Sequence, residues 1–465
     1  MADKKYKIAI IGSGPGGYVA ALRAGQLGAD TVLIEKEALG GTCLNWGCIP
    51  TKAFVRSAEV FADIQNAEDF GIKVEKAELD FPAVVKRKDK IVNRLVRGID
   101  HLLEKNNVDR IDGRASFIDQ KHIKVEKDSE TVEIEAENII IASGSQAAAI
   151  PIPGADSADI LDSRAALDLE ELPQSMVIVG GGIIGMEFAF IFRNFGVEVT
   201  VIEYLDQLVS GVDAEIASEL NRSARRRRIS VKTSAEVKEI KKKDTGFEVT
   251  YQTKGREKTA EAEKVLMAVG RKPYTEGLGL ENIGVEVSEK RGAVQVNEKM
   301  QTNVEGIYAV GDVTDKILLA HVASHQGVIA VENIMGMDKK MNYQAVPGAI
   351  FTSPEIGTVG LTEAEAEERG INYEVGTFPF AASGKVMAMG EREGKVKIIA
   401  EKESGKIIGG ALIGIESSDL IAELTLAVNL GLTAENLRET IHAHPTTAEV
   451  IHEAALDLAD ASIHA

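Results

Sequence analysis

Residues 8–17 read IAIIGSGPGG, an apolar run that leads directly into a glycine-rich turn. Residues 176–185 read MVIVGGGIIG and repeat that arrangement. Both segments carry the pattern G-x-G-x-x-G, formed first by Gly12, Gly14 and Gly17 and then by Gly180, Gly182 and Gly185. An apolar run predicts a buried strand, and the stretch after each turn favours a helix. Each segment is therefore typical of the strand, tight turn and helix of one βαβ unit.

The spacing within the two units is the same. Gly28 and Glu35 of the first unit return as Gly196 and Glu203, each shifted by 168 positions like the turn glycines. In such a unit the backbone of the turn approaches a pyrophosphate at the helix N-terminus, and the acid accepts hydrogen bonds from ribose hydroxyls. We therefore expect two dinucleotide-binding sites on doubly wound α/β sheets.

Glu203 also bears on the choice of nicotinamide cofactor. Its carboxylate would repel a ribose 2′-phosphate, and the residues that follow, Tyr204–Asp206, include no arginine. The arginine-rich segment Arg222–Arg228 lies well beyond that loop, in a helical stretch, and we interpret it as a solvated face. The second site is predicted to prefer NAD over NADP.

Size and charge limit the classes of function. The chain has 465 residues and a formal net charge of -19. This length predicts about three or four domains. The negative charge argues against nucleic acid and anionic membrane surfaces as partners. No apolar run approaches the roughly 20 residues that span a bilayer, so a cytoplasmic protein is predicted, or one of an organelle matrix after processing.

The fold class predicted is α/β, with two doubly wound Rossmann-like nucleotide-binding domains and an α+β domain at the C-terminal end. The predicted domains are residues 1–147, 148–272, 273–345 and 346–465. In the last of these, Lys395–Ala400 and Ile407–Leu412 predict a β-hairpin. Helices are predicted from Ser417 to Asn429 and from Pro445 to about Asp460.

Residues 40–52 read GGTCLNWGCIPTK and contain both cysteines of the chain, Cys43 and Cys48. Residues five apart on a regular helix are separated by roughly 8–9 Å at Cα, whereas a disulfide tolerates about 7 Å. A bridge between the two therefore requires a distorted helix, which Gly47 and Pro50 would allow. A pair joined under such constraint is easier to reduce than a structural bridge, so a redox role is predicted.

Two other interpretations of the cysteines stay open. They could be unrelated small core residues, although the glycines and Trp46 around them disfavour a plain core strand. They could instead bind zinc with His442 and His444, although zinc sites more often use a closer Cys-x2–4-Cys spacing.

Residues 306–310 read GIYAV and predict a short buried strand that ends at Gly311-Asp312. An acid at the carboxyl end of a parallel strand can bind a sugar or polyol hydroxyl. The alternative is a turn aspartate that caps the segment after it.

His444 is a candidate general base. Pro445 suits the first turn of a helix, and a helix N-terminus keeps an imidazole neutral and able to accept a proton. Glu449 follows about one turn later and could orient the ring. The alternative is a capping or interface histidine, and His442 is a second candidate base that lacks the position at the helix start.

Together, residues 40–52, both glycine turns, Gly311-Asp312 and His442–Thr446 resemble the flavin disulfide reductases of the class I pyridine nucleotide-disulfide oxidoreductases, and among them the dihydrolipoamide dehydrogenases. The resemblance covers essentially the whole chain in order. It implies a homodimer with FAD, NAD, central and interface (dimerisation) domains. It also implies oxidation of protein-bound dihydrolipoyl groups and reduction of NAD+ to NADH, through FAD and a Cys43–Cys48 disulfide.

The resemblance further implies partners and site residues. The partners are lipoyl domains of 2-oxo acid dehydrogenase acyltransferases or the carrier protein of glycine cleavage. The positions that match the family's flavin site are Gly12, Gly14, Gly17, Glu35, Gly41, Thr42, Lys52, Ala115, Ser143, Gly144, Asp312 and Ala320. Those that match its NAD site are Gly180, Gly182, Gly185, Glu203, Val237, Gly270 and Arg271. In the family, Lys52 would lie near the flavin and pair with Glu187, and His444 of the partner subunit would act with Glu449. The segment His325–Gly327 replaces a more acidic stretch, which leaves its contacts open.

Other functions fit these residues less well. Glutathione and trypanothione reductases prefer NADPH, which the acidic Glu203 disfavours. Mercuric reductases typically carry a further cysteine pair near the C-terminus, and soluble transhydrogenases lack the redox pair. A non-catalytic binding component of a multienzyme assembly, or a surface adhesin, is disfavoured by the presence of Cys43, Cys48, His444 and Glu449 together.

Overall fold

A computed structural model describes residues 5–127 and 130–464, so the first residues of the predicted 1–147 domain and the last residue of the 346–465 domain lie outside the described residues. In chain order the strands are β1 (Lys5–Ile11), β2 (Thr31–Glu35), β3 (Val108–Asp112), β4 (Arg114–Phe117), β5 (His122–Lys127), β6 (Glu130–Ile141), β7 (Ser145–Ala147), β8 (Ser175–Val179), β9 (Glu198–Ile202), β10 (Ser230–Lys232), β11 (Ala235–Lys243), β12 (Gly246–Thr253), β13 (Arg256–Ala262), β14 (Lys264–Met267), β15 (Arg271–Pro273), β16 (Ile307–Ala309), β17 (Gly348–Ile350), β18 (Glu355–Gly360), β19 (Tyr373–Pro379), β20 (Lys395–Glu401) and β21 (Ile407–Gly414). The α-helices are α1 (Pro15–Gln26), α2 (Gly41–Trp46), α3 (Cys48–Gln65), α4 (Phe81–Lys105), α5 (Ser163–Leu167), α6 (Ile183–Asn194), α7 (Ala214–Arg226), α8 (Leu280–Ile283), α9 (Ala320–Ile334), α10 (Glu363–Glu368), α11 (Gly384–Ala388), α12 (Ser417–Leu430), α13 (Ala434–Glu439) and α14 (Glu449–Asp457).

The chain divides into two compact units. The first is formed by residues up to Ala53 together with Ala83–Ala148 and Gly270–Asn342. The second is formed by Phe54–Pro82, Ala149–Val269 and the residues from Tyr343 onward. The finer division at residues 147, 272 and 345 stays a prediction.

The first unit is built on a sheet in the order β3-β2-β1-β6-β5-β4, with β16 also paired to β6. Strands β3, β2, β1 and β16 run parallel to β6, and β5 runs antiparallel to its first half. β1 and the end of β6 are almost continuously buried, as expected for parallel strands covered on both faces. The carboxyl ends of β1, β2, β6 and β16 therefore meet at one edge of this sheet.

The second unit contains a smaller version of the same arrangement. Its parallel sheet has the order β10-β9-β8-β14, and the antiparallel strands β11, β12 and β13 form a separate sheet. α6 joins β8 to β9 as the crossover that parallel strands require. The two βαβ units predicted from the glycine pattern are thus confirmed.

The C-terminal part of the second unit is α+β, as predicted. An antiparallel sheet of order β17-β18-β21-β20-β19 packs against α12 and α14 around a core that includes Phe378, Phe380, Leu412 and Leu424. The predicted hairpin corresponds to β20 and β21, and the first predicted helix corresponds to α12. Among the described residues, no helix is both long and apolar enough to cross a membrane.

Candidate functional site

The first glycine turn connects β1 to α1. Gly12 has a φ of 100°, and a Cβ atom there would lie 2.4 Å from the carbonyl oxygen of Ala142. A Cβ at Gly17 would lie 1.8 Å from the carbonyl oxygen of Gly12, so the helix packs directly on the turn backbone. Within the described part of the chain, nothing lies within 4 Å of a Cβ at Gly14, the N-cap of α1. The middle glycine therefore borders open space at a helix N-terminus, where a phosphate group would approach.

The second glycine turn, between β8 and α6, has the same geometry. A Cβ at Gly180, which has a φ of 108°, would lie 2.4 Å from the carbonyl oxygen of Ala268. A Cβ at Gly185 would lie 2.0 Å from the carbonyl oxygen of Gly180. At Gly182 the space is again open to 4 Å, as far as the described residues extend. Both turns thus have one open position at the start of a helix.

The acid after each second strand binds the turn of its own unit. The buried Glu35 accepts the backbone N–H of Ser13 at 2.8 Å and its hydroxyl at 2.6 Å. Glu203 accepts the backbone N–H of Gly181 at 2.5 Å. The other oxygen of each carboxylate accepts the N–H of the residue two positions ahead. The carboxylates are therefore fixed beside the turns, where a ribose would lie if its pyrophosphate bound the helix N-terminus.

α2 begins beside the first glycine turn. A Cβ at Gly41, which has a φ of 57°, would lie 2.7 Å from the Cα atom of Gly14. The indole N–H of Trp46 donates to the hydroxyl of Thr42 at 3.2 Å. The predicted flavin-site positions Gly41 and Thr42 therefore lie next to the open space at Gly14.

Asp312 lies in the 3₁₀ helix Gly311–Thr314 that follows β16. Its carboxylate does not cap that helix but accepts the hydroxyl of Ser145 at 2.5 Å. The capping alternative for Asp312 is therefore wrong. Ser145 in turn accepts a hydrogen bond from Nε of Arg271 at 2.7 Å. Sequence reasoning missed Ser145, because it takes its place in the site only when β7 pairs with β15.

Gly270 and Arg271, which were predicted at the NAD site, lie in the first unit. Arg271 also donates to the carbonyl oxygen of Ser145 at 2.7 Å. The second glycine turn belongs to the second unit, so the assignment of Gly270 and Arg271 to NAD stays a prediction.

Gln326 is a second residue that sequence reasoning did not place. Its buried side chain accepts the N–H of Gly311 at 2.7 Å, beside Asp312. The next residue, Gly327, allows α9 to approach α1 closely, because a Cβ there would lie 2.5 Å from the carbonyl oxygen of Gly16. The departure noted at His325–Gly327 is thus a packing contact. The sequence signal for this contact was Gln326, a polar residue within an otherwise apolar helix.

The remaining predicted nucleotide-site positions are distributed as follows. Ala115 is buried on β4, Ser143 and Gly144 follow β6, Ala320 is the first residue of α9, and Val237 precedes a β-bulge in β11. The hydroxyl of Ser143 donates to the carbonyl oxygen of Tyr274 at 2.6 Å.

The helix between Cys43 and Cys48 is broken, as predicted. α2 and α3 are separated by Gly47, which has φ −136° and ψ −116° and whose Cβ would lie 2.8 Å from the carbonyl oxygen of Thr42. Pro50 lies inside the first turn of α3, where its missing N–H disturbs no helical hydrogen bond. The break therefore occurs at Gly47 and not at Pro50.

The side chains of Cys43 and Cys48 are hydrogen bonded to each other, with Cys43 partly buried and Cys48 exposed. This hydrogen bond, followed by burial and the negative charge of Cys48, raises the pKa of the Cys43 thiol well above its usual value, while the charge of Lys52 opposes the shift. Lys52 lies one helical turn after Cys48 on α3.

Glu187 is buried on α6, and its carboxylate accepts the N–H of Phe351 at 2.9 Å. Lys52 belongs to the other unit, so the Lys52–Glu187 pair stays a prediction.

His444 and Glu449 form the pair that was predicted. Nδ1 of His444 lies 2.8 Å from a carboxylate oxygen of Glu449, whose other oxygen accepts the N–H of Thr446 at 2.9 Å. Burial would raise the pKa of Glu449, but the hydrogen bonds from His444 and Thr446 outweigh it and lower the pKa. The His444 side chain is 81% exposed. The arrangement presents an oriented imidazole at the surface of the chain.

The predicted helix start at Pro445 is wrong, since α14 begins at Glu449. The hydroxyl of Thr446 donates to the carbonyl oxygen of Ala443, and that of Thr447 donates to Glu416. Threonine side chains that satisfy such local bonds compete with helix formation. The position at a helix start therefore does not distinguish the two histidines. Exposure does, because the His442 side chain is only 8% exposed.

The structure brings together one set of possible metal ligands within residues 5–127 and 130–464. These are Asp213, Glu215 and Glu363, and the buried ammonium group of Lys397 pairs with all three. Neither the cysteines nor the histidines of the zinc interpretation belong to this set.

Comparison with known proteins agrees with this geometry. Residues 6–327 match the pyridine nucleotide-disulphide oxidoreductase family, and residues 346–455 match its dimerisation domain. The chain belongs to this family.

Similar members of the family come from bacteria and archaea. The dihydrolipoyl dehydrogenase of Bacillus subtilis (strain 168) is 40% identical over 457 residues, which cover 98% of this chain and 97% of the relative. The dihydrolipoyl dehydrogenase of Haloferax volcanii is 42% identical over 467 residues, with 98% and 97% covered. In the crystal structure of LpdA from Mycobacterium tuberculosis, a chain 30% identical matches with a TM-score of 0.89, covering 97% of this chain and 99% of that one. The Cu(II) complex of the flavoprotein disulfide reductase RclA from Escherichia coli matches at 31% identity with a TM-score of 0.88 and the same coverage.

As a pyridine nucleotide-disulphide oxidoreductase, the chain is an FAD-dependent, NAD-linked enzyme. The residues present fit both cofactors. Each glycine turn leaves the position of Gly14 or Gly182 open at a helix N-terminus, and each has a carboxylate fixed beside it, at Glu35 or Glu203. The match to the dimerisation domain supports a homodimer.

Proposed function

We propose that the chain is a dihydrolipoamide dehydrogenase, which oxidises protein-bound dihydrolipoyl groups to the disulfide and reduces NAD+ to NADH. The observation that carries this proposal is the exposed His444 imidazole held 2.8 Å from Glu449, in a chain that also holds the Cys43–Cys48 pair. Identities of 40–43% to dihydrolipoyl dehydrogenases over nearly the full chain support it.

The base acts on the substrate thiol. Because Nδ1 of His444 donates to Glu449, the other ring nitrogen, Nε2, carries the lone pair that accepts a proton. Glu449 then stabilises the imidazolium that forms. The thiolate, which is the attacking species in disulfide exchange, is thereby generated beside the Cys43–Cys48 disulfide, with His444 supplied by the partner subunit.

Thiol–disulfide exchange between the substrate and the cysteine pair takes two steps. The first substrate thiolate attacks the sulfur of Cys43, which forms a mixed disulfide and releases Cys48 as a thiolate. The second substrate thiol loses its proton and closes the substrate disulfide, releasing Cys43. The raised pKa of Cys43 favours uptake of a proton by this sulfur after its release. Two electrons thus move from the substrate to the cysteine pair.

When bound, FAD would supply the electron acceptor that lets the cysteine pair return to a disulfide, and NAD+ would be the final acceptor. Glycine turns at Gly12–Gly17 and Gly180–Gly185 and the acids Glu35 and Glu203 would hold the two dinucleotides. The carboxylate of Glu203 supports NAD rather than NADP, because a 2′-phosphate would meet its negative charge.

We further propose lipoyl domains of 2-oxo acid dehydrogenase acyltransferases, or the carrier protein of glycine cleavage, as macromolecular partners, and a cytoplasmic location. Support for the partners comes from the names of the relatives.

The test is His444→Gln. We expect it to slow reduction of the flavin by dihydrolipoamide by about 100- to 10,000-fold, because general base catalysis usually contributes a rate factor of this size. Reduction of the flavin by NADH should stay unchanged, because that step needs no thiol proton transfer by His444. Rapid-mixing absorbance measurements separate the two half-reactions.

His122→Gln is the matched control, because His122 forms an exposed pair with Asp119, at 2.9 Å, that is not part of the proposed site. Its rates should match the wild type. Equal slowing of both half-reactions in His444→Gln would overturn the role of His444. A wild-type enzyme that reduces glutathione disulfide with NADPH, and ignores lipoamide with NADH, would overturn the proposed substrate.

A further inference from the structure

The segment 440–448, which carries His444, connects α13 to α14 and contains no helix of its own. His442 holds its first half. Nε2 of His442 lies 2.8 Å from a carboxylate oxygen of Glu423, and Nδ1 lies 2.9 Å from the carbonyl oxygen of Thr440. Because both ring nitrogens have partners and the side chain is largely buried, the backbone two residues before His444 is fixed.

Thr447 holds the second half. Its hydroxyl donates to a carboxylate oxygen of Glu416 at 2.7 Å, and the residue is buried. The segment is thus anchored two residues before His444 and three residues after it. The His444 ring itself is exposed, so its direction depends on its bond to Glu449 and on the backbone between these anchors.

Both anchoring carboxylates come from one helix. Glu423 lies within α12, and Glu416 is the N-cap residue of the same helix. Seven positions make close to two turns, so the two carboxylates lie on one face of α12. Ile421 and Leu424 pack this helix into the core. A rigid element therefore presents two acceptors to the segment that carries the base.

Glu416 has an unusual backbone for this task. Its φ is 60° and its ψ is 14°, a left-handed conformation that is unfavourable for a residue with a Cβ atom. Glycine would remove that cost but would also remove the carboxylate that Thr447 binds. The unfavourable backbone is therefore retained at a position whose carboxylate anchors segment 440–448.

We propose that Glu416 and Glu423 are positioning residues for His444, acting through Thr447 and His442. This inference rests on the proposed function, since it assigns His444 the task of accepting a proton from the substrate thiol. Each carboxylate binds a neighbour of the base, Thr447 or His442. Both anchors fix the position of the imidazole. A displacement of about 1 Å in such a group can slow a reaction on the order of 100-fold.

Thr447→Val tests the Glu416 anchor, because valine keeps the shape of threonine and removes the donor. We expect reduction of the flavin by dihydrolipoamide to slow by about 10- to 100-fold, and reduction by NADH to stay unchanged. Thr447→Ser keeps the hydroxyl and should restore the wild-type rate. Glu423→Leu and Glu423→Gln form the equivalent pair for the other anchor, since glutamine retains an acceptor for His442.

Ser418→Ala is the matched control on α12. Ser418 donates to Glu355 at 2.7 Å, a hydroxyl–carboxylate bond of the same kind that does not hold segment 440–448. It should leave both half-reactions at the wild-type rate. A Thr447→Val enzyme as fast as the wild type would overturn the inference, and so would failure of Thr447→Ser to restore the rate or equal slowing with NADH.

A wild-type enzyme that dihydrolipoamide does not reduce would instead overturn the proposed function. The anchoring is then decided by the imidazole NMR resonance of His444. Under our inference that resonance moves or broadens in Thr447→Val and matches the wild type in Thr447→Ser. An unchanged resonance in Thr447→Val would refute the anchoring.

Discussion

The open position in each glycine turn allows one substitution to separate folding from nucleotide binding. Gly182 is the N-cap of α6 with φ −72° and ψ −174°, a conformation that any L-residue adopts. As far as the described residues extend, a Cβ there meets nothing within 4 Å. Gly182→Ala should therefore keep the fold and change the free energy of unfolding by no more than about 1 kcal/mol, because restriction of the unfolded chain opposes the loss of glycine at the N-cap.

The same methyl group would occupy space that the NAD pyrophosphate needs. Hydrogen bonds from backbone N–H groups to a charged phosphate contribute about 1.5–3 kcal/mol each. At 1.36 kcal/mol per tenfold change, the loss of one such bond raises the dissociation constant of NADH by about 10- to 150-fold. The flavin site has its own turn, so the purified variant should remain yellow.

The assay measures two quantities on one sample. The flavin content comes from absorbance. The NADH dissociation constant comes from anaerobic calorimetry on enzyme reduced beforehand with dithionite, so that the flavin accepts no electrons from NADH during the titration. Gly14→Ala is the reciprocal variant, for which we expect loss of flavin from a folded chain. A Gly182→Ala enzyme that binds NADH as tightly as its parent, or that loses flavin, would refute the assignment of the second turn.

Two further outcomes are expected. Lys397→Met leaves the buried Asp213 without its cation and should lower the free energy of unfolding by about 3–5 kcal/mol, measured by urea denaturation. Burial lowers the pKa of Lys397, but Glu363 and Asp213 raise it above the usual value. The stabilisation by Lys397 should therefore persist through neutral pH and be lost as the pH rises through that raised pKa. Loss of the stabilisation near pH 7 would contradict this assignment. Ile441→Asp should weaken the dimer by at least about 100-fold in light-scattering measurements, because Ile441 is 98% exposed in the single chain and a two-fold axis would bury it twice. A variant as dimeric as the wild type would place Ile441 outside the interface.

Features governed by local chemistry could be predicted from the sequence. The glycine turns follow from steric needs that one residue type meets, and the break between Cys43 and Cys48 follows from helix geometry and the reach of a disulfide. The pair of His444 and Glu449 also lay within a few residues of sequence.

Features governed by residues distant in sequence could not be predicted from the sequence. Arg271 reaches Ser145 only because β15 pairs with β7, and no local pattern encodes that pairing. The start of α14 moved to Glu449 because Thr447 bonds to Glu416, which lies on another helix. Proline at a first helical turn is a weak preference, and these hydrogen bonds outweighed it.

The late arrival of β16 has a consequence for biosynthesis. β16 pairs with Ile139–Ile141 at the end of β6, yet Ile307 is made roughly 170 residues after that segment. At about 5–20 residues per second, a ribosome leaves this apolar strand edge unpaired for some 10–30 s. An uncovered edge of that kind invites pairing with other chains. The nascent first sheet should therefore be the part of this protein that most depends on chaperones. Asp312 is synthesised after β16, so the complete flavin site can form only after β16 has paired with β6.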